Sequence, residues 1–272
     1  MRHLPPTGPP TASAGSKSPR GKTHRRRLAR SRRLFAFDRG LQSRHVAGTD
    51  EAGRGCLAGP LVAAAVLIDY ERLSVSDRRA LSGLYDSKQM TEERRLEMYP
   101  CVLRAAERVS IVVRCAAGID RRGLHVTNIE ALSLALERLA PGEEAIALVD
   151  GFRLPRCAVP HRQVIQGDGK SAAIAAASVI AKVTRDRYMR GASLEHPGWG
   201  FEEHVGYSTP EHRDAIERLG ISPLHRRSFQ SVAYSQLELG SEGVADVVEL
   251  DDATFAVEGD TDRVEADLRE AG

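Results

Sequence analysis

The 272-residue chain has four cysteines, Cys56, Cys101, Cys115 and Cys157, but no Cys-x-x-Cys pair and no histidine beside them at zinc spacing. This excludes a dense disulfide framework or a zinc ribbon and leaves reduced thiols of a cytosolic protein. No apolar run approaches the roughly 20 residues that a bilayer-spanning helix needs, so an integral membrane protein is excluded too. Internal repeats are absent. The first 33 residues lack acids altogether and carry ten Lys/Arg, whereas residues 238–272 carry twelve Asp/Glu against two Arg. A net charge of +2 hides that asymmetry. An acid-free, Arg-rich start mimics an organellar transit peptide, but its many prolines oppose the amphipathic helix such peptides need. Both ends are poor in large apolar groups and read as disordered tails, basic over 1–33 and acidic over 238–272. The stretch between them, 34–237, carries 27 basic and 25 acidic residues and is long enough for a core of its own.

Within that stretch HVAGTD and LVAAAVLI (61–68) read as two strands joined by a glycine-rich turn too short for a parallel crossover, hence an antiparallel pair. Thr91 is an N-cap candidate, followed by Glu92 and Glu93 at the positive helix end and an apolar stripe through Leu96, Tyr99, Leu103 and Ala106. SIVVRCAA (110–117) reads as a strand, and Leu132, Leu136 and Leu139 mark one face of a helix. AIALV (145–149) is a short unbroken apolar run, the pattern of a strand buried on both faces. RQVIQ (162–166) is a further strand. The alanine-rich segment 171–189 is a long helix able to lie close to a sheet, and Thr209-Pro210 opens another that ends at Gly220. Strands alternating with helices after an initial hairpin give an α/β fold with a mixed sheet and a mostly helical C-terminal part from about 190.

Acids stand at three of the strand ends: Asp50 with Glu51, Asp150, and Asp168. Like charges about 4 Å apart repel by roughly 1 kcal/mol in water and several-fold more in a protein interior, so a divalent cation is the natural partner of such a cluster. Oxygen donors without interleaved His or Cys suit Mg²⁺ or Mn²⁺, and two such ions support in-line phosphodiester hydrolysis. Taken singly, Asp150 and Asp168, each before a glycine, also read as turn formers. Neighbours on a regular strand face opposite ways, so Asp50 and Glu51 converge only if the strand bends or ends there.

DEAGRG (50–55), DSK (86–88), LVDG (148–151), GD (167–168) with IAAASVIAKVTRD (174–186), and GFEEHVGYSTPEH followed by HRRSF together resemble bacterial ribonuclease HII, the type 2 ribonuclease H family, over about 45–230, with LFAFDRGLQ as its first short helix. The resemblance implies an RNase H-like mixed sheet flanked by helices. It implies metal binding and catalysis by Asp50, Glu51, Asp150 and Asp168 with two Mn²⁺ or Mg²⁺ ions. Gly53, Arg54 and Gly55 fall on the motif that approaches the ribonucleotide 2′-OH, and Tyr207 on the tyrosine that stacks on the next deoxyribose. Lys88 and Lys182 lie in matching blocks as phosphate contacts. The implied substrates are RNA–DNA hybrids and duplex DNA containing ribonucleotides, cut on the 5′ side of the ribonucleotide to leave 3′-hydroxyl and 5′-phosphate ends, by a cytoplasmic monomer in ribonucleotide removal. No sliding-clamp motif is evident. Cys56 stands where the family commonly has proline.

Other residues carry plainer readings. Asp186 is an exposed or ion-paired acid rather than a fifth ligand. His204, His212 and His225 lack zinc spacing and read as local hydrogen-bonding groups, and Trp199 and Phe201 as packing residues. A Holliday-junction resolvase or a type 1 enzyme lacks a use for GRG and Tyr207, and a non-catalytic hybrid-binding protein lacks one for four carboxylates facing phosphate.

Overall fold

A computed structural model describes residues 19–229 and 254–258, with side chains over 28–229. The predicted hairpin is present: β1 (His45–Ala52) runs antiparallel to β2 (Leu61–Asp69), from His45 opposite Asp69 to Ala52 opposite Val62. To these add β3 (Arg108–Arg114), β4 (Ile146–Asp150), β5 (His161–Val164) and β6 (Thr254–Glu258). The sheet order is β5-β4-β1-β2-β3-β6, with β4 parallel to both β1 and β5 and the remaining pairs antiparallel. This is the expected mixed α/β sheet.

The helices are α1 (Pro19–Arg39), α2 (Val75–Ala80), α3 (Glu92–Ala105), α4 (Ala116–Arg122), α5 (Leu124–Leu139), α6 (Ala172–Glu195), α7 (Phe201–His204) and α8 (Pro210–Leu219). Alternation along β1 and β2 sorts them into two layers. Val46, Val62, Ala64 and Val66 pack with α1, α3 and α6, while Ala47, Leu61, Ala63 and Ala65 pack with α5. The alanines of α6 bring its backbone so near β1 that a Cβ on Gly48 would lie 2.2 Å from the Ala173 carbonyl carbon. Thr91, Ser171 and Thr209 cap α3, α6 and α8, and Gly220 ends α8, as their residue types predict.

Several boundaries differ from expectation. Helix α1 begins at Pro19, within the basic stretch, and its later part docks on the core: the Ser31 hydroxyl donates to Leu81 O at 3.1 Å, Leu34 and Phe35 are buried, and Asp38 accepts from the Ala173 N–H at 2.9 Å and the Tyr70 hydroxyl at 2.6 Å. The acidic tail likewise contributes β6, which pairs Glu258 with Arg108 at the sheet edge. The remainder of both tails lies outside the described residues. The 110–117 strand stops at Arg114, since the Cys115 thiol accepts from the Gly118 N–H at 3.3 Å and starts α4. The 162–166 strand stops at Val164, before Gln166 turns left-handed at φ +53°. Helix α2, with a capping box between Ser74 and Asp77, was not expected.

Candidate active site

Parallel pairing of β1 and β4 sets Thr49 beside Val149, so Asp50 and Asp150 follow side by side at the strand ends. Asp168 joins them from a single 3₁₀ turn, Gly167–Gly169, that leads into α6. The Gly167 N–H donates to Asp150 Oδ1 at 2.5 Å, tying that turn to β4. Carboxylate oxygens of Asp50, Asp150 and Asp168 all lie within 4.8 Å of one another. Glu51 is not among them. Because β1 stays paired through Ala52, its alternation persists and Glu51 turns to the α5 side, with Oε1 3.7 Å from Arg54 Nε and Asn128 against it.

The electrostatics are those of a site short of positive charge. Burial, then Glu51 and Asp150, push the Asp50 carboxyl well above the usual range. Burial also raises Glu51, to about 7, with Arg54 opposing and Asp150 reinforcing. Asp168 is raised by burial against the pull of Lys88, whose Nζ stands 3.4 Å from Oδ2. Burial disfavours the Lys88 ammonium, but Asp50, Asp168 and Asp150 together raise its pKa. One exposed ammonium does not balance three converging carboxylates, and Glu51 Oε2 is buried with no hydrogen-bond partner among the described residues. An all-oxygen donor set with unspent negative charge fits a hard divalent cation.

Beside the acids, residues 53–60 form a loop fixed by two fully buried arginines that sequence reasoning missed. Arg185 of α6 donates to the carbonyls of Pro60, Ala58 and Val205 at 2.9, 2.9 and 2.8 Å. Arg226 donates twice to Gly59 O, at 3.0 and 2.9 Å, and to Arg54 O at 3.1 Å. Gly53 sits at φ +92°, and a Cβ there would come 2.2 Å from Arg185 Nε. Gly55 is exposed, with nothing within 4 Å of the place its Cβ would take. Arg54 lies across Phe152, 4.7 Å from the ring centroid.

The same frame carries Tyr207. The Leu57 and Ala58 N–H groups donate to Gly206 O, and Tyr207 stands half-exposed with Lys182 Nζ 4.8 Å from its ring centroid. Lys182 bonds Asp186 at 2.7 Å, so Asp186 is ion-paired and is not in the acidic cluster. The histidines make local hydrogen bonds, as expected: His212 Nδ1 lies 2.9 Å from Tyr207 O, and His204 Nδ1 accepts from the Gly206 N–H at 3.1 Å. Phe201 is buried, and Trp199 stacks on it and donates to Gly220 O at 3.0 Å, which makes both packing residues.

The family described as Ribonuclease HII matches residues 47–232, which include every one of these groups. The chain belongs to the ribonuclease HII family. It is 46% identical over 232 residues to Ribonuclease HII of Nocardia farcinica, a match covering 84% of this chain and 87% of that one. Among solved structures it resembles ribonuclease H2 of Pyrococcus horikoshii at 26% identity and a TM-score of 0.60, over 72% of this chain and 97% of that one. It also resembles the RNase HII of a PCNA:RNase HII complex from Archaeoglobus fulgidus, at 27% identity and a TM-score of 0.58, over 68% and 95% of the two chains. As a ribonuclease HII it is an enzyme, an endoribonuclease, and no helix among its described residues is long and apolar enough to cross a membrane.

Proposed function

We propose that this ribonuclease HII cuts the RNA strand of RNA–DNA hybrids and the 5′ side of single ribonucleotides embedded in duplex DNA, leaving 3′-hydroxyl and 5′-phosphate ends. The observation that carries the reading is the convergence of Asp50, Asp150 and Asp168 beside the exposed backbone of Gly55 and the Tyr207 ring. Two divalent ions, Mg²⁺ or Mn²⁺, supply water activation and charge neutralisation at the leaving oxygen when bound. Asp50, Asp150 and Asp168 would hold them, with Glu51, the next residue of β1, as the fourth carboxylate of the proposed set.

The chain's own groups position the substrate. A 2′-OH is what separates RNA from DNA at a given nucleotide, and a backbone without a side chain, as at Gly55, lets that hydroxyl approach. The Arg54 guanidinium, fixed over Phe152, presents a planar fork to a flanking phosphate. Tyr207 offers a flat face to a sugar that lacks the hydroxyl. Lys88, 71% exposed at its side chain and drawn toward Asp168, meets the phosphate nearest the acids. Together these groups read a junction from ribonucleotide to deoxyribonucleotide, in the cytoplasmic removal of ribonucleotides from DNA.

The test is a labelled duplex holding one ribonucleotide, incubated with protein in Mg²⁺ or Mn²⁺ beside an all-DNA duplex and the Asp50→Asn protein. A single metal-dependent cut 5′ of the ribonucleotide, absent from both controls, is the expected result. Cutting confined to long hybrid tracts would discard the roles given to Gly55, Arg54 and Tyr207. Near-normal turnover by Asp50→Asn would discard the metal assignment.

A further inference from the structure

Away from the acids, a cleft of about 270 Å³ opens between α1 and α2, and Arg32, Arg39, Arg78 and Arg79 line it. All four are exposed, and among the described residues no Asp or Glu lines the cleft. Phe35 and Leu73 give it an apolar floor. The acids on the same two helices are engaged elsewhere: Asp38 accepts from Tyr70 and the Ala173 N–H, and Asp77 closes the capping box with Ser74. Arg78 donates to Leu73 O at 2.6 Å, whereas Arg32, Arg39 and Arg79 have no ion pair among the described residues. Other arginines on this side of the molecule do pair, Arg94 with Glu97 and Arg190 with Glu92. Four guanidiniums gathered without a carboxylate call for an anion from outside.

We propose that this cleft is a phosphate-binding face for the duplex that flanks the cleaved nucleotide. The inference rests on the nucleic-acid substrate of the preceding reading. Helix α1 joins the cleft to the active site. Arg30 Nη1 donates to Gln89 Oε1 at 2.6 Å, and Gln89 directly follows Lys88, which reaches Asp168. From Arg30 to Arg39 the helix advances roughly 14 Å at 1.5 Å per residue. That is about four nucleotide steps at 3.4 Å, so a strand leaving Lys88 along α1 brings phosphates about three steps apart to Arg32 and Arg39. Toward its start α1 continues the basic run with Arg25, Arg26 and Arg27. Both Arg32 and Arg39 precede the segment matched by the family description, 47–232.

The experiment measures affinity of the full chain for a 30-base-pair all-DNA duplex against salt concentration. The proteins compared are wild type, Arg32→Gln with Arg39→Gln, and a charge-matched control, Arg121→Gln with Arg138→Gln, whose exposed arginines sit on α4 and α5 across the sheet. Each lost phosphate contact flattens the slope of log affinity against log salt by roughly 0.9, so the α1 pair should flatten it by about 2. Adding Arg79→Gln should flatten it further, and the control pair should leave it at the wild-type value. Melting temperatures measured alongside separate a lost contact from a lost fold. An unchanged slope for the α1 pair, or equal flattening by both pairs, overturns the face in favour of net charge alone. Because the slope is read on all-DNA duplex, it stands or falls apart from cutting at a ribonucleotide.

Discussion

Lys182 Nζ stands 4.8 Å from the centroid of the Tyr207 ring while Asp186, one turn further along α6, holds the same nitrogen at 2.7 Å. The lysine is therefore a strut beneath the tyrosine, and its side chain is only 17% exposed. Burial lowers its pKa, and Asp186 opposes that shift. Arg95 approaches the other Asp186 oxygen at 3.9 Å, so the acid bridges α3 and α6 under the ring. Cation–π contacts of this kind contribute about 0.5–2 kcal/mol. Asp186→Asn should free the ammonium and loosen Tyr207. The expected result is a several-fold larger loss of kcat/KM on a single-ribonucleotide duplex than on a continuous hybrid. Equal losses on both would mean that Asp186 supports the fold and not the ring.

Gly53 and Gly55 separate folding from recognition. A Cβ at Gly53 meets the Arg185 guanidinium at 2.2 Å and the Pro60 carbonyl at 2.6 Å, and the residue's positive φ adds strain. Gly53→Ala should therefore destabilise the protein by on the order of 2 kcal/mol or more, visible as a fall in melting temperature. Gly55→Ala meets nothing and should melt as wild type. On the proposed function it should still raise KM for the ribonucleotide duplex at least tenfold, because the added methyl would occupy the approach to the 2′-OH. A Gly55→Ala enzyme with wild-type KM would remove Gly55 from the substrate-binding set.

The sequence made the hairpin, the buried β4 and the caps legible, since those signals are local in period and residue type. It also made legible the doubt about Glu51, because two-residue alternation alone forbids adjacent side chains from sharing a face of a straight strand. The buried arginines were harder. Arg185 occupies the stripe Ala181, Arg185, Met189, whose flanking members are fully buried, so the four-residue spacing marks it as inward-facing. Its partners are backbone carbonyls more than a hundred residues away in the 53–60 loop, together with Val205, and no local pattern announces those. The reach of α1 to Pro19 and the pairing of β6 were hidden for a related reason. Both lie in stretches whose charge-rich composition reads as solvated, and β6 depends on pairing with β3, more than a hundred residues earlier in the chain.

His212 and His225 give the Tyr207 loop a pH dependence. His225 Nδ1 accepts from the Ser222 N–H at 2.9 Å, which places its proton on Nε2, 3.1 Å from His212 Nε2. His212 then donates from Nδ1 to Tyr207 O. The chain of bonds needs both rings neutral. Burial, reinforced by neighbouring histidines, depresses His212 to about 4 and His225 to about 3 from an ordinary 6.5. Depressed folded values mean that this stability is complete above 6.5 and is lost as pH falls from 6.5 toward about 4 for His212 and about 3 for His225. The loss should amount to a few kcal/mol, since each tenfold weakening of proton affinity on folding corresponds to about 1.4 kcal/mol. Thermal melts of wild type and His225→Gln between pH 7.5 and 5 check it, and the variant should show the shallower decline. Parallel curves would assign the acid sensitivity elsewhere.

The acid cluster titrates in the opposite sense and can be isolated by removing metal. Glu51, raised to about 7 from 4.5, contributes stability that is present below 4.5 and lost as pH rises through 7, and Asp50 is shifted in the same direction. In chelator at pH 7.5 the wild-type protein must therefore keep the Asp50 and Glu51 carboxyls where burial and neighbouring acids disfavour their ionisation. Asp50→Asn removes one ionisable group without changing side-chain size, so it should melt a few degrees above wild type when metal-free. Adding Mg²⁺ or Mn²⁺ should reverse the order, because binding to the native state alone stabilises wild type in proportion to the logarithm of ion concentration. A variant deprived of Asp50 should gain little from the ion and should not cut. If metal raised both melting temperatures equally, the ion would be binding away from Asp50, and the repulsion at this strand end would need another counter-charge.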